Sequence, residues 1–427
     1  MKISVIGSGF VGLSTGVGFA KKENDVILVD NDREKVNKIN DGVCPFYEPE
    51  LEDELVEQLY LGKIKATDDL QYAVLNSDIS FICVPTPFGK KGIDLSYIEK
   101  VSKDLGMVLK DKNAYHIVVV KSTVVPETTE RIVLPLLERF SGKSFGNYFG
   151  LCVNPEFLRE GSALNDFLNP DRIVIGGIDE KSIDALKRLY KNFNSPIIVT
   201  DWRTAEMIKY VSNAFLATKI SFANEIGNIC KKLDIDTYEV MDAVGLDHRI
   251  CREFLNAGIG FGGSCFPKDL SALIVKSESL RYEPKLLKEV LEINKKQPLR
   301  MVELLKERLG DLKDKTVAVL GLSFKPNTSD IRDAPSLKIV DSLLKRGCKV
   351  KAYDPKAMDD FKKMFPNITY CRNPRDALNE SDACLILTEW DEFKSLRDTD
   401  FGVMKNRLII EGRRVLKGVK GCEGICW

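Results

Sequence analysis

Lys2-Ile3-Ser4-Val5-Ile6-Gly7-Ser8-Gly9-Phe10-Val11-Gly12 opens the chain and decides its fold. Lys2 to Ile6 is a short apolar run that reads as a strand, Val11 to Lys21 reads as a helix, and Val26 to Val29 reads as a second strand ending at Asp30. Between strand and helix stands G-x-G-x-x-G, with an acidic residue about 20 positions further on, the context in which this pattern binds a dinucleotide. Gly7 allows the tight turn, Gly9 lets a pyrophosphate approach the helix N-terminus, and Gly12 allows helix and strand to pack closely. Asp30 suits ribose hydroxyls and repels a 2′-phosphate, which favours NAD over NADP, with Lys35 or Arg33 able to weaken that preference. The alternative is a glycine turn with only a structural purpose.

Working outward, strand-like runs at Ile79–Val84, Ile117–Val120, Leu151–Val153 and Ile173–Ile175 alternate with helical segments, as in a parallel sheet covered by helices on both faces. This first α/β domain extends to about residue 200. From Asp201 to Leu233 the pattern becomes one long helix with Met207, Val211, Ala214, Phe215, Thr218 and Phe222 on an apolar face, suited to joining domains or to forming a dimer surface. Helical pattern continues to about Arg308, so 201–308 is a central helical domain. Thr316-Val317-Ala318-Val319-Leu320-Gly321 then starts a second strand-and-glycine unit, with strands at Lys349–Tyr353, Ala383–Leu387 and Leu408–Ile410. Residues 309–427 therefore read as a smaller α/β domain that echoes the first: strand, glycine turn, helix, and a strand ending in aspartate (Asp30, Asp354).

The bulk properties agree with a multidomain protein. A chain of 427 residues exceeds one ordinary core. Its formal charge is zero and its pI 6.8, with both signs interspersed, so neither a nucleic-acid surface nor an anionic membrane is indicated. The uncharged stretch Ile3 to Ala20 contains five glycines, which suits neither a signal peptide nor a membrane span. Eleven irregularly spaced cysteines without a C-x-x-C pair argue against a zinc site or a disulfide framework, and a reducing cytoplasm fits best.

The chemistry centres on Gly260-Phe261-Gly262-Gly263-Ser264-Cys265-Phe266-Pro267-Lys268-Asp269. Pro267 fits a first helical turn, and Leu270, Leu273 and Ile274 recur at helical spacing, so Cys265 should lie at the positive end of that helix. The helix dipole and Lys268 both favour a thiolate, while Asp269 is placed to act as a base or to orient water. Only two histidines are present, and His116 begins an apolar run, so cysteine is the better reactive group. In an NAD enzyme a nucleophilic cysteine serves aldehyde oxidation: it adds to give a thiohemiacetal, hydride leaves, and water cleaves the thioester to a carboxylic acid. Lys209 and Asn213, four residues apart, share a helix face; they are either a solvated polar stripe or, given Tyr210, Val211, Ala214 and Phe215 around them, a partly buried oxyanion site. Asn154-Pro155-Glu156-Phe157-Leu158-Arg159-Glu160-Gly161 follows a strand end, where open α/β sheets hold ligands.

Gly260–Asp269, Asn154–Gly161, Asn169-Pro170-Asp171-Arg172, Lys209–Asn213, and Phe324-Lys325 with Asp330-Ile331-Arg332 together resemble the UDP-glucose 6-dehydrogenases among the nucleotide-sugar dehydrogenases, over nearly the whole chain. The resemblance implies two Rossmann-like domains joined by a long helix, usually a homodimer through that helix, and two successive NAD-dependent oxidations of a sugar primary alcohol to the uronate. It implies Cys265 as nucleophile; Lys209, Asn213 and Asp269 as managers of the alcohol proton, the oxyanion and the hydrolytic water; Glu156 as an additional acid/base residue; and Thr123 as a water- or cofactor-positioning residue. Gly7, Gly9, Phe10, Val11, Gly12, Asp30, Lys35, Thr86, Thr123, Glu160, Lys268 and Arg332 match cofactor contacts. Glu156, Phe157, Leu158, Arg159, Glu160, Lys209, Asn213, Phe254, Leu255, Asn256, Ala257, Gly258, Gly262 and Lys325 match the UDP-sugar site, and Arg249 an arginine that reaches the neighbouring subunit's substrate. Ser264 stands where UDP-N-acetylmannosamine dehydrogenases carry histidine, whereas GDP-mannose dehydrogenases share Gly-Gly-Ser-Cys; Phe266 and Gly260-Phe261 lean toward UDP-glucose. Glu411 replaces the usual aspartate before Gly412-Arg413. The other readings are a two-electron hydroxyacid dehydrogenase relying on lysine and asparagine, and a non-catalytic NAD-binding protein.

Overall fold

Lys2–Ile6 forms a strand in the interior of an eight-stranded sheet in the computed structural model, which describes residues 1–89 and 92–427. From one edge the strands run Ile197–Thr200, Ile173–Gly176, Phe149–Val153, His116–Val120, Ile79–Ile82, Lys2–Ile6, Asp25–Val29 and Ile64–Thr67. Successive side chains of a strand point to opposite faces, and here both faces are buried: Ile3 and Val5 pack with Leu13, Val17 and Phe19, whereas Ile6 packs on the other side with Ile82, Val118 and Val120. Strand order reverses at Lys2–Ile6, flanked by Asp25–Val29 and Ile79–Ile82, which is where an open parallel sheet leaves a crevice at its carboxyl ends.

Pairing is parallel throughout this sheet except between Phe149–Val153 and Ile173–Gly176, which meet antiparallel at Val153 and Gly176. The chain turns back through the Asn154–Gly161 loop and the short helix Ala163–Leu168 instead of crossing a face of the sheet, and this reversal holds the loop at the strand end. In this sheet the edge strands Ile64–Thr67 and Ile197–Thr200 are the ones that hydrophobic pattern did not reveal: each has four residues, and the second is largely exposed.

By internal packing the chain divides into Met1–Ser212 and Asn213–Trp427. The division falls within the long helix, Trp202–Lys232, so this one element supplies the end of the first unit and the start of the second. Trp202 anchors its beginning through an indole N–H donated to the Leu151 carbonyl at 3.0 Å.

The second unit contains a six-stranded parallel sheet ordered Thr369–Tyr370, Lys349–Tyr353, Thr316–Leu320, Ala383–Ile386, Ile409–Glu411 and Cys422–Gly424. It repeats the opening turn of the chain. Gly7 N–H donates to Val29 O at 2.7 Å and Gly321 N–H to Tyr353 O at 2.8 Å, and each turn is followed by amides that bond the aspartate ending the next strand. The two aspartates differ in what surrounds them. Asp354 is wholly buried, and its carboxylate accepts from the backbone of Leu322, Ser323, Lys356 and Ala357, from the Ser323 hydroxyl, and from the Trp390 indole. Those bonds saturate a carboxylate's acceptor capacity. Asp354→Ala should therefore strand several buried donors and destabilise the second unit by on the order of 3 kcal/mol, read as a lowered denaturation midpoint.

Candidate active site

In the first unit the glycine turn is shaped to admit a phosphate group. A Cβ on Gly12 would lie 1.7 Å from the Gly7 carbonyl oxygen, so only glycine permits the helix Phe10–Lys21 to start this close to the strand. A Cβ on Gly9 would meet nothing within 4 Å, leaving open space before the first amides of that helix. Amide donors at a helix start, with no side chain in the way, fit a pyrophosphate. Asp30 accepts from Ser8 N at 2.9 Å, Asp32 N at 3.1 Å and Lys35 Nζ at 2.9 Å, so Lys35 is an ion-pair partner of the carboxylate. Two further strand ends are tied together beside this turn: Thr86 Oγ1 donates to Thr123 O at 2.8 Å, and Ser122 Oγ to Val84 O at 2.7 Å. Phe10 and Val11 are half-buried at the helix start, Phe10 lying 5.8 Å from the Phe46 ring.

The Asn154–Gly161 loop brings Glu156 to the long helix. Lys209 Nζ lies 2.9 Å from Glu156 Oε1, with the two side chains only 5% and 6% exposed, so Lys209 belongs to a buried ion pair and not to a solvated stripe. Glu156 Oε2 accepts from Leu158 N at 2.6 Å. Burial pushes the Glu156 carboxyl up, but the Lys209 ammonium, the Leu158 amide and Lys121 outweigh it, and the group titrates below its ordinary value. Phe157 covers the pair: Arg172 stacks on its ring at 3.8 Å and Lys209 lies 5.5 Å from its centroid. Arg159 turns to Asp166, and Glu160 is half-buried. Sequence reasoning missed Lys121 and Glu48. Glu48 accepts from Gly161 N and Ala163 N at 2.7 and 2.8 Å and fixes the far end of the loop. Lys121 carried one readable signal, a lysine placed directly after the apolar strand His116–Val120.

In the second unit Cys265 is the residue that caps the helix Phe266–Ser279, half-buried, with Ser264 Oγ 3.6 Å from its sulfur. That position sets the sulfur near the first free amides of the helix. Asp269, one turn on and 2% exposed, accepts from Asn213 Nδ2 at 2.6 Å and Lys268 Nζ at 2.5 Å. Lys268 thus directs its charge first to Asp269. The glycine loop ahead of the cysteine is clamped on several sides. Gly258 N donates to Asn224 Oδ1, Phe261 bonds the Asn294 amide through both its N–H and its carbonyl, Gln297 Nε2 donates to Gly258 O, and Gly263 N donates to Arg332 O. Gly260 takes a φ of +94°, and a Cβ there would lie 2.5 Å from Asn294 Oδ1. Arg413 donates to the Gly260 carbonyl, and Glu411 accepts from Val415 N and Leu416 N at 2.8 Å, so the altered Glu411 shapes the turn that carries Arg413.

The remaining expected residues of this unit are distributed more widely. Leu255, Ala257, Gly258 and Gly262 are buried, Asn256 is exposed, and Phe254 lies 6.3 Å from the Phe266 ring. Lys325 is half-buried and lies 5.8 Å from the Phe324 ring; Arg332 is exposed and paired with Asp330. Arg249 stands apart, exposed and bonded to Asp247.

Three family models account for most of the chain: the NAD binding domain of the UDP-glucose/GDP-mannose dehydrogenase family matches residues 1–194, its central domain 203–296 and its UDP binding domain 318–418. The chain belongs to the UDP-glucose/GDP-mannose dehydrogenase family. This dehydrogenase is 44% identical over 429 residues to UDP-glucose 6-dehydrogenase AglM of Haloferax volcanii, with 99% of each chain covered. It is 43% identical over 417 residues to UDP-glucose 6-dehydrogenase TuaD of Bacillus subtilis, covering 97% of this chain and 89% of that one. The solved structure of a UDP-glucose dehydrogenase from Pyrobaculum islandicum matches with a TM-score of 0.94 at 41% identity, covering 100% and 97% of the chains. A GDP-mannose dehydrogenase from Pseudomonas aeruginosa matches at 34% identity with a TM-score of 0.59 and full coverage of both chains. As a family member it is an NAD-dependent oxidoreductase, and the open turn at Gly9 with Asp30 beyond it fits that cofactor.

A carboxyl held below its ordinary value of 4.5 stabilises the fold above that pH, and the contribution is lost as pH falls through the folded-state value. Glu156→Gln should therefore lower the melting temperature most near neutral pH, and the gap from the wild type should narrow below about pH 4.5. A thermal-denaturation series from pH 7 to pH 3 checks the trend.

Proposed function

We propose that this dehydrogenase oxidises UDP-glucose to UDP-glucuronate in two steps, with Cys265 holding the intermediate between them. The observation that carries the proposal is the placement of Cys265 at a helix start, one turn ahead of an Asp269 carboxylate pinned by Asn213 and Lys268. A two-electron alcohol dehydrogenase has no use for such a nucleophile, whereas oxidation of an aldehyde to an acid requires one. NAD supplies the hydride acceptor for both oxidations.

Within this reading, Lys209 and Glu156 form the acid/base pair that handles the alcohol proton, and the Lys209 ammonium and Asn213 amide stabilise the oxyanion. The Cys265 thiolate adds to the aldehyde carbon, the carbonyl oxygen takes the negative charge, and loss of hydride from that carbon leaves a thioester. Water adds to the thioester, the carbon–sulfur bond breaks, and thiolate and carboxylate are released, with Asp269 and Glu156 as the carboxylates available to take the water's proton. Thr123, tied to Thr86, positions cofactor or water. Phe254–Gly258, Gly262 and Lys325 form the nucleotide-sugar contacts, of which Lys325 lies within the UDP binding domain matched at 318–418. The domains we propose are cofactor binding at 1–200, a central helical part at 201–308, and nucleotide-sugar binding at 309–427. We assign the working form as a homodimer through the long helix, on which Met207, Val211, Phe215, Phe222 and Ile229 are exposed.

Incubation with NAD and a panel of UDP- and GDP-sugars should give two NADH per UDP-glucose consumed, with the uronate as product. One NADH per substrate, or preference for GDP-mannose, overturns the assignment. Cys265→Ser should slow uronate formation by several orders of magnitude, because an alkoxide forms less readily than a thiolate and its ester is cleaved less readily. Full uronate production by this variant excludes the covalent route.

A further inference from the structure

Behind the Glu156–Lys209 pair lies a second lysine that the proposed chemistry does not use. Lys121 is 4% exposed, and its ammonium donates to Asn154 Oδ1 at 3.0 Å and Asn154 O at 3.5 Å. The same Oδ1 accepts the Tyr190 hydroxyl at 2.6 Å, and Asn154 Nδ2 donates to Val174 O at 2.8 Å, so this side-chain amide is locked by three bonds. Among the described residues no carboxylate pairs directly with Lys121. A buried ammonium without an ion-pair partner costs several kcal/mol, and a methionine of similar length would fill the space without that cost. The charge therefore calls for a functional account.

Resting on the reading of Glu156 and Lys209 as the acid/base pair, we propose that Lys121 is a positioning residue for it: a second fixed positive charge, held on Asn154 two residues ahead of Glu156, that orients the loop and sets the charge against which the pair exchanges protons. The groups facing it from the elements packed around it are Cys83 beyond the strand Ile79–Ile82, Tyr190 at the end of the helix Glu180–Leu189, Glu156 in the loop, and Lys209 on the long helix. Arg172 lies over the Phe157 ring. Burial pushes Lys121 down to about 8, with Cys83 and Glu156 opposing and Lys209 adding to the fall. The coupling acts in both directions: Lys121 favours ionised Glu156 and disfavours a protonated Lys209.

Removing this charge makes both groups easier to protonate, so the acid limb of the kcat/KM profile moves to higher pH. Lys121→Gln keeps a donor for Asn154 and loses the charge; Lys121→Met loses both; Lys121→Arg keeps the charge. The two neutral variants should move the acid limb upward by about one pH unit, with an accompanying loss of about tenfold in kcat/KM below it, and Lys121→Arg should keep the limb in place. A folded Lys121→Gln with an unmoved limb overturns the proposal, as does a Lys121→Arg that moves the limb as far as the neutral variants. Glu156→Gln measured alongside separates the two levels. Wild-type rate and limb in that variant would remove the acid/base reading itself, whereas loss of activity there with an unmoved limb in Lys121→Gln would remove only the role given to Lys121.

Discussion

Burying the ammonium of Lys209 is costly unless a carboxylate is buried with it, and much of the first unit is arranged to keep Glu156 in that place. The carboxylate sits on a loop, so the loop has to be as rigid as the helix that carries the lysine. The chain reversal after Phe149–Val153 brings the loop to the strand ends, Asn154 fastens its start, and Glu48 fastens its finish at Gly161 and Ala163. The helix is fixed in turn. Trp202 bonds the Leu151 carbonyl, and the buried Glu206 accepts from Glu127 N and Thr129 N, which joins the helix to the segment beyond Thr123. Each of these bonds satisfies a buried polar group, and each removes a freedom that would part lysine from glutamate.

The same topology serves two purposes at the two ends of the chain. Both units place a glycine turn at the strand where order reverses and an aspartate at the end of the neighbouring strand. In the first unit the turn runs straight into a helix, Gly9 leaves open space, and Asp30 remains at the edge of that space. In the second, residues 322–334 intervene before the helix Pro335–Lys345, and Asp354 is consumed by backbone amides and the Trp390 indole. The helix-start amides that would face a pyrophosphate are thereby moved away from the turn. The first turn is left open before its helix, and in the second the aspartate is taken up by internal hydrogen bonds.

The legible parts were those with short-range causes. Glycine spacing between an apolar strand and an apolar helix leaves few structural solutions, and Pro267 beside Leu270, Leu273 and Ile274 sets where the helix after Cys265 begins. The illegible parts depend on contacts distant in sequence. Asn224, Asn294 and Gln297 sit in helices, where a lone amide reads as surface, yet they hold the backbone at Gly258 and Phe261. The environment of Lys209 was likewise undecided in the sequence. Lysine and asparagine four residues apart suit either a wet face or a buried one, and only the arrival of Glu156, more than fifty residues earlier in the chain, decides between them.

This dependence also explains why the proposed nucleophile was easier to read than the proposed proton-handling groups. A cysteine's reactivity follows from local features, a helix start and glycines that let the backbone turn, and all of them lie within ten residues of Cys265. Proton-handling groups are tuned by burial and by neighbouring charge, both of which are properties of the folded chain. Glu156 illustrates the balance: burial raises its pKa, and the nearby ammonium groups with the Leu158 amide outweigh that and lower it. The chemistry proposed for this chain therefore divides into a candidate nucleophile marked by local sequence and a set of charges whose values exist only once the fold has closed around them.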